Sequence, residues 1–365
     1  MSYSPPRPTG QAERKVRVLT GLLAVAALVA ALVALWQTQS TPLARRTYCW
    51  GAWTEGSGPF RDGGRERAAE ESVPTRERPR GHCVLSWRGG RGAGAYEQRI
   101  EVRLGTGPRD AEGRRDWVGG LFAGGDRALP GLLPGFTADG SGALVLPESC
   151  DVGGRPSVVT LTSSFTDAAD RGSHPGFPDD SSPSRTGELL VRVANRATEA
   201  TRCSSAPSLR LRPEPPLSSP PPAPDTSDTP AGRCAIPGLG EDAAGEHLTD
   251  TVGGGAGDDL QSCAVSGGDD GRPAARFTMV GRPRIVALFD GLTGASAPAP
   301  GWRGRGRIDA AGALVRAECG GRPTVFAMRV GPGRTHTRLD DPRHAFPAFV
   351  DAMAARIGCA PLRGR

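Results

Sequence analysis

Lysine is almost missing from this 365-residue chain: Lys15 is the only one, and the rest of the 45 basic residues are arginine. The net charge of +6 is unevenly spread, because the first 36 residues hold Arg7, Arg14, Lys15 and Arg17 against Glu13, a net +3, which leaves about +3 over the other 329. No basic helix or aromatic-interleaved basic patch follows, so nucleic acid is not an expected partner. Aromatic residues make up only 5%, so the cores must be small and rest on Val, Leu and Ala, a condition under which folds often need staples.

Catalytic and cofactor motifs are missing too. The chain has no GxSxG elbow, P-loop, HExxH or complete GxGxxG, the patterns that mark a strained nucleophile, a phosphate cradle, a zinc site or a dinucleotide turn. Its cysteines are never closer than 29 residues, whereas zinc sites usually use close ligand pairs. Neither metal nor cofactor is expected. The five histidines, His82, His174, His247, His336 and His344, show no shared placement. A Ser-His-Asp site would have to be assembled from distant segments.

What the chain has is one long apolar run, eight cysteines and a repeated phrase. Residues 18–36, VLTGLLAVAALVAALVALW, carry no charge and would extend about 28 Å as a helix, near the thickness of a bilayer core. The run is too long for the apolar region of a cleaved signal peptide. Four basic residues precede it and only Arg45 and Arg46 follow it closely, which predicts a cytoplasmic N-terminus on residues 1–17. The chain is therefore expected to be a single-pass, integral protein of the cell membrane with most of its length outside. All eight cysteines lie beyond the run, as an oxidising exterior favours.

The phrase GALVLPESCDVGGRPSVV, from Gly142, returns as GALVRAECGGRPTVF, from Gly312. GGLFAGG from Gly119 likewise answers VALFDGL from Val286. Between the two sets of four cysteines lies PEPPLSSPPPAPDTSDTP, a composition that favours extended polyproline II and reads as a linker. Internal similarity of this kind marks a duplicated unit. The expected organisation is thus an extracellular module at 47–212, a Pro-rich linker at 213–232 and a second copy at 233–362.

Each copy reads as α+β, several strands followed by one helix packed on a sheet. Ile100, Val102 and Leu104 alternate with polar residues, and ARFTMV from Ala275 favours strand. Leu190, Val193, Ala197 and Ala200 recur at helical spacing, as do Phe346, Phe349, Met353 and Ile357, with Pro347 expected in a first turn. Residues 54–81 and 166–185 are expected to be loops.

Four cysteines per copy allow three pairings. A bond from the entering chain to the helix end would close each module, and a second would join segments flanking strands. This reasoning predicts Cys49–Cys203 and Cys83–Cys150 in the first copy, and Cys234–Cys359 and Cys263–Cys319 in the second. One polar feature repeats as well: Arg155 and Arg322 each follow two glycines and precede a proline. A guanidinium held on such a turn could take an anionic group bidentately. The functional expectation is a non-catalytic binding or structural ectodomain whose partner is an extracellular protein or envelope polymer. The alternative is an extracellular hydrolase with a site that no motif marks.

Overall fold

Strict alternation of apolar and polar side chains builds the first sheet. Along Gly81–Gly89 and Tyr96–Gly105 every second residue is buried, among them Cys83, Leu85, Ile100 and Val102, the pattern of strands with one covered face. The computed structural model describes residues 46–60, 64–167, 172–178, 182–211, 233–236, 239, 248–255, 257–267, 272–332 and 338–364. The expected membrane span at 18–36 and the linker at 213–232 lie outside them. Among the described residues no helix is long and apolar enough to cross a membrane.

The architecture is mixed α+β with four α-helices among the described residues. In chain order the elements of the first half are β1 (Thr47–Tyr48), β2 (Trp53–Thr54), β3 (Arg65–Ser72), β4 (Gly81–Gly89), β5 (Tyr96–Gly105), α1 (Ala111–Leu121), β6 (Arg127–Ala128), β7 (Gly135–Ala138), β8 (Ser141–Val145), β9 (Val158–Asp167), β10 (Ser173–Pro175) and α2 (Ser182–Thr201). Those of the second are β11 (Leu248–Gly253), β12 (Leu260–Gly267), β13 (Pro273–Val280), α3 (Pro283–Val286), β14 (Arg305–Asp309), β15 (Gly312–Cys319), β16 (Arg322–Val330) and α4 (Pro342–Arg356). The first large sheet runs β3-β4-β5-β9-β8-β7-β6, and the second runs β11-β12-β13-β16-β15-β14. All pairs are antiparallel, and the main six strands follow one order in both: first, second, third, sixth, fifth, fourth.

The repeated phrase has a geometric cause. Gly153 and Gly154 have φ of +60° and +71°, and Gly320 and Gly321 have +59° and +76°. Each pair forms a tight turn, closed by the Val152–Arg155 bridge in one half and the Cys319–Arg322 pair in the other. Two consecutive left-handed residues suit the right-handed twist of hairpin strands, and glycine adopts them without a Cβ penalty. The first cysteine of each half also shares a backbone: Cys49 and Trp50 have φ of +49° and +64°, Cys234 and Ala235 +60° and +50°.

All eight cysteines are paired, but the pairing differs from the expectation. The bonds are Cys49–Cys83, Cys150–Cys203, Cys234–Cys263 and Cys319–Cys359, so first joins second and third joins fourth. The reason lies in where the last helix ends. Helix α2 packs on β7, β8 and β9, and α4 on β13 to β16. Each thereby returns its C-terminal cysteine to the end of the strand hairpin that carries the third cysteine. The entering chain instead turns sharply at Cys49 or Cys234 and lies against β4 or β12.

Other expectations also need correction. Residues 54–81 contain β3, an edge strand exposed along nearly its whole length, so no apolar period announces it. Residues 166–185 contain β10, paired with β9, and the start of α2. Pro347 lies inside α4, because that helix begins at Pro342 behind the N-cap Asp341, which accepts from the Arg343 N–H at 3.0 Å. Each half also has a second helix, α1 or α3, between its third and fourth main strands.

Those extra helices join the halves. One apolar cluster unites Tyr48, Cys83, Ile100 and Leu190 under α2, and another unites Phe277, Val315, Phe326 and Phe349 under α4. The third is shared: Val118 in α1 and Phe122 just after it, Phe136 and Val145 from the first sheet, Val280 and Val325 from the second, and Ile285 in α3 and Phe289 just after it. Phe122 stacks on Phe136 at 4.4 Å between ring centroids and on Phe289 at 6.2 Å. The second sheet is thus covered on both faces, which explains the near-continuous burial of β12 and β13. The described residues from Thr47 onward form one compact unit.

Candidate functional site

Beside this shared core a cleft of about 390 Å³ opens between α1 and the outer end of the second sheet. Asp110 caps α1 by accepting from the Gly113 N–H at 2.6 Å, which places Glu112, Arg115 and Asp116 on the rim. Across from them stand Arg276 on β13, Arg329 on β16, and Arg307 and Asp309 on β14. The floor is apolar and includes Val118, Phe122, Phe289 and Leu314. Helix α1 can lie close because Gly119 has no side chain: a Cβ there would press on the Arg329 guanidinium at 3.0 Å.

The charges are unevenly matched. Arg307 pairs with Asp309 on its own strand, with Nε at 2.8 Å. Arg329 donates to the Asp116 carbonyl at 2.7 Å and lies 3.4 Å from its carboxylate. The side chain of Arg276 makes no hydrogen bond or ion pair with any described residue, and its Nε is buried without an acceptor. It also stands directly opposite Arg329 in the strand register, where like charges repel. Burial lowers the Arg276 pKa, the charge of Arg329 lowers it further, and the one offset is the charge of Asp126.

Asp126 is a second polar anomaly near the cleft. It is fully buried in the turn after α1, where its carboxylate accepts from the Ala123 N–H at 3.2 Å and the Gly124 N–H at 2.9 Å. Its own N–H donates to Ser262 Oγ on β12 at 2.6 Å. Burial raises its pKa despite these donors. The turn presses on the second sheet so closely that a Cβ at Gly253 would overlap the Asp126 carbonyl oxygen.

The strand register shows that the arginine pair is peculiar to the second half. Val102 faces Cys83 as Phe277 faces Cys263, so Glu101 and its partner Thr162 occupy the places of Arg276 and Arg329. Glu101 is fully partnered: burial pushes its pKa up, but hydrogen bonds from Arg103 and His82 outweigh that and hold it below the usual value. One half thus has a satisfied acid where the other has a cation with no partner among the described residues.

The residues singled out in the sequence lie elsewhere. Arg155 donates to the Gly107 and Pro108 carbonyls at 3.2 and 2.9 Å, fixing the segment that leads into α1. Arg322 is exposed at the start of β16. The structure does not bring either into the cleft. Among the described residues one group has metal-ligand proximity, Cys234, Cys263 and Asp250, but the two sulfurs are bonded to each other and the Asp250 carboxylate accepts from the Cys234 N–H at 2.8 Å. Arg276 and Arg329 are what sequence reasoning missed. Glu101 lies 18 residues after Cys83 but Arg276 only 13 after Cys263, so an alignment on the cysteines does not superpose them and the exchange emerges only from the strand register.

Comparison with known proteins yields no matching family model, no matching curated protein and no matching solved structure.

Proposed function

We propose that the chain is a membrane-tethered, non-catalytic binding protein that takes an anion-bearing extracellular ligand in the cleft between α1 and the second sheet. Residues 18–36 anchor it, the N-terminus is cytoplasmic, and the paired cysteines belong to a segment that matures outside the cell. The body is a duplication of one sheet-plus-helix module, supported by the shared strand order, the matched glycine turns and the matched left-handed cysteines. The observation that carries the functional reading is the Arg276 guanidinium in the cleft, which has no partner among the described residues, has its Nε buried without an acceptor, and stands opposite a second arginine. Folds rarely leave a partly buried charge without a counter-charge unless a ligand provides it. The described residues that line the cleft include no histidine, serine or cysteine, which favours binding over hydrolysis. The expected protein or envelope-polymer partner narrows to one with an acidic group that can enter a space of this size.

A photoreactive amino acid placed at Arg115, on the rim, tests this in cells that carry the full chain. Irradiation should give a defined mass adduct from position 115 and none from the same residue at Arg322. Equal yields at the two positions, or none at 115, would remove the support for the cleft as the binding site.

A further inference from the structure

We infer that the part of the ligand that enters the cleft is a small, singly charged organic-acid group: a carboxylate that sits between Arg276 and Arg329, joined to an apolar body that lies on the floor of the cleft. This rests on the binding reading above and adds the ligand's charge, head group and size.

The charge follows from a count at the cleft. Arg115, Arg276, Arg307 and Arg329 face Glu112, Asp116 and Asp309, four cations against three anions, a net +1. One negative charge neutralises the site, whereas a dianion would meet the rim carboxylates as an excess charge. The head group follows from geometry. Arg276 and Arg329 are direct cross-strand neighbours that both line the cleft, and a carboxylate matches guanidinium forks with two oxygens. Burial of Asp126 disfavours its ionised form, so this neighbour offers Arg276 less counter-charge than an exposed carboxylate would. The apolar body follows from the floor, where Val118, Phe122, Phe289 and Leu314 belong to the shared core yet line the space. A volume of about 390 Å³ falls in the range of small-ligand clefts, which are mostly apolar with a few orienting polar groups.

The test is calorimetric titration of the full chain in nanodiscs of zwitterionic lipid, with empty nanodiscs as the blank. The probes are 2-naphthoate, its neutral analogue 2-naphthalenemethanol and inorganic phosphate. Naphthoate should bind, the alcohol should bind at least about tenfold more weakly, and phosphate should bind weakly. Arg276→Met should weaken naphthoate about 10- to 100-fold, the loss of one charge-assisted hydrogen bond. Arg276→Lys should recover part of that loss, and Arg322→Met should change nothing. An unaltered thermal transition in Arg276→Met separates lost binding from lost folding; if that variant fails to fold, Arg276→Lys and the neutral analogue still decide. Naphthoate binding that is indifferent to Arg276, or matched by the alcohol, overturns the inference. If phosphate binds as tightly as naphthoate and both depend on Arg276, the organic-acid assignment fails while the cleft remains a binding site. If no anion binds and no adduct forms at position 115, both readings fail together.

Discussion

Arg284, at the start of α3, is the side chain whose removal should do most to part the halves. Its guanidinium reaches into the first half and grips Asp151 at 2.6 and 3.2 Å, one oxygen per nitrogen. It also donates to the Leu146 carbonyl from Nη2 at 2.6 Å and from Nε at 3.2 Å. The side chains of Arg284 and Asp151 are 18% and 21% exposed, which sets the magnitude. Fully exposed ion pairs contribute about 0–1 kcal/mol, and breaking a fully buried pair costs about 3–5 kcal/mol because a charge is stranded. At this exposure, with the Leu146 carbonyl also losing its donors at roughly 1 kcal/mol, Arg284→Ala should destabilise the protein by about 2–4 kcal/mol. Arg284→Lys should recover less than half, since an ammonium cannot serve both acceptors in a fork. Urea unfolding of the oxidised chain at low salt and in 1 M NaCl provides the assay. The loss should persist in salt, because a pair largely removed from solvent is weakly screened. Arg307→Ala, which breaks a pair 46% and 36% exposed, serves as the contrast at under about 1 kcal/mol. A loss below about 0.5 kcal/mol for Arg284→Ala, or one abolished by salt, would refute the inter-half clamp.

Two further predictions follow from the disulfides and from Asp126. Removing Cys319–Cys359 by paired serine substitution opens a loop with a sequence separation of 40 and should cost about 4 kcal/mol in the chain-entropy model. Chemical denaturation would show this, and no loss would mean that the bond is unmade in solution. Asp126 has a pKa raised by burial, so the folded state retains a proton that the unfolded state has released. Its contribution to stability is therefore greatest below the ordinary aspartate pKa and falls as pH rises through the interval up to the raised value. Asp126→Asn should flatten the pH dependence of unfolding over that interval, and an unchanged slope would show that Asp126 ionises normally.

Much of this architecture was legible where local chemistry repeats. The alternation in β4 and β5, the glycine pairs and the spacing of Phe346, Phe349 and Met353 each follow from a backbone period or a turn requirement. The connecting helix α1 was not legible. AEGRRDWVGGL contains three glycines and few apolar residues, and its helical face becomes apparent only when the second half supplies something to cover. The edge strand β3 is polar on both faces, so no period of two survives in its composition. Disulfide pairing failed because it depends on where a helix ends in space, whereas the sequence reports only the order of cysteines. The site was hidden for a related reason. Arg276 and Arg329 are separated by two intervening strands in the chain and become neighbours only through the crossover that places β16 beside β13.

Because each disulfide closes within its own half, only the linker joins the two halves covalently. A protease site inserted between Pro220 and Pro221 makes that link removable. After cleavage under native, oxidising conditions the two fragments should still elute together on gel filtration, held by the Phe122–Phe136–Phe289 layer and Arg284. They should separate in denaturant without reductant. Fragments that part under native conditions would contradict the shared core on which the cleft depends, and fragments that stay joined in denaturant until reduced would contradict the disulfide pairing.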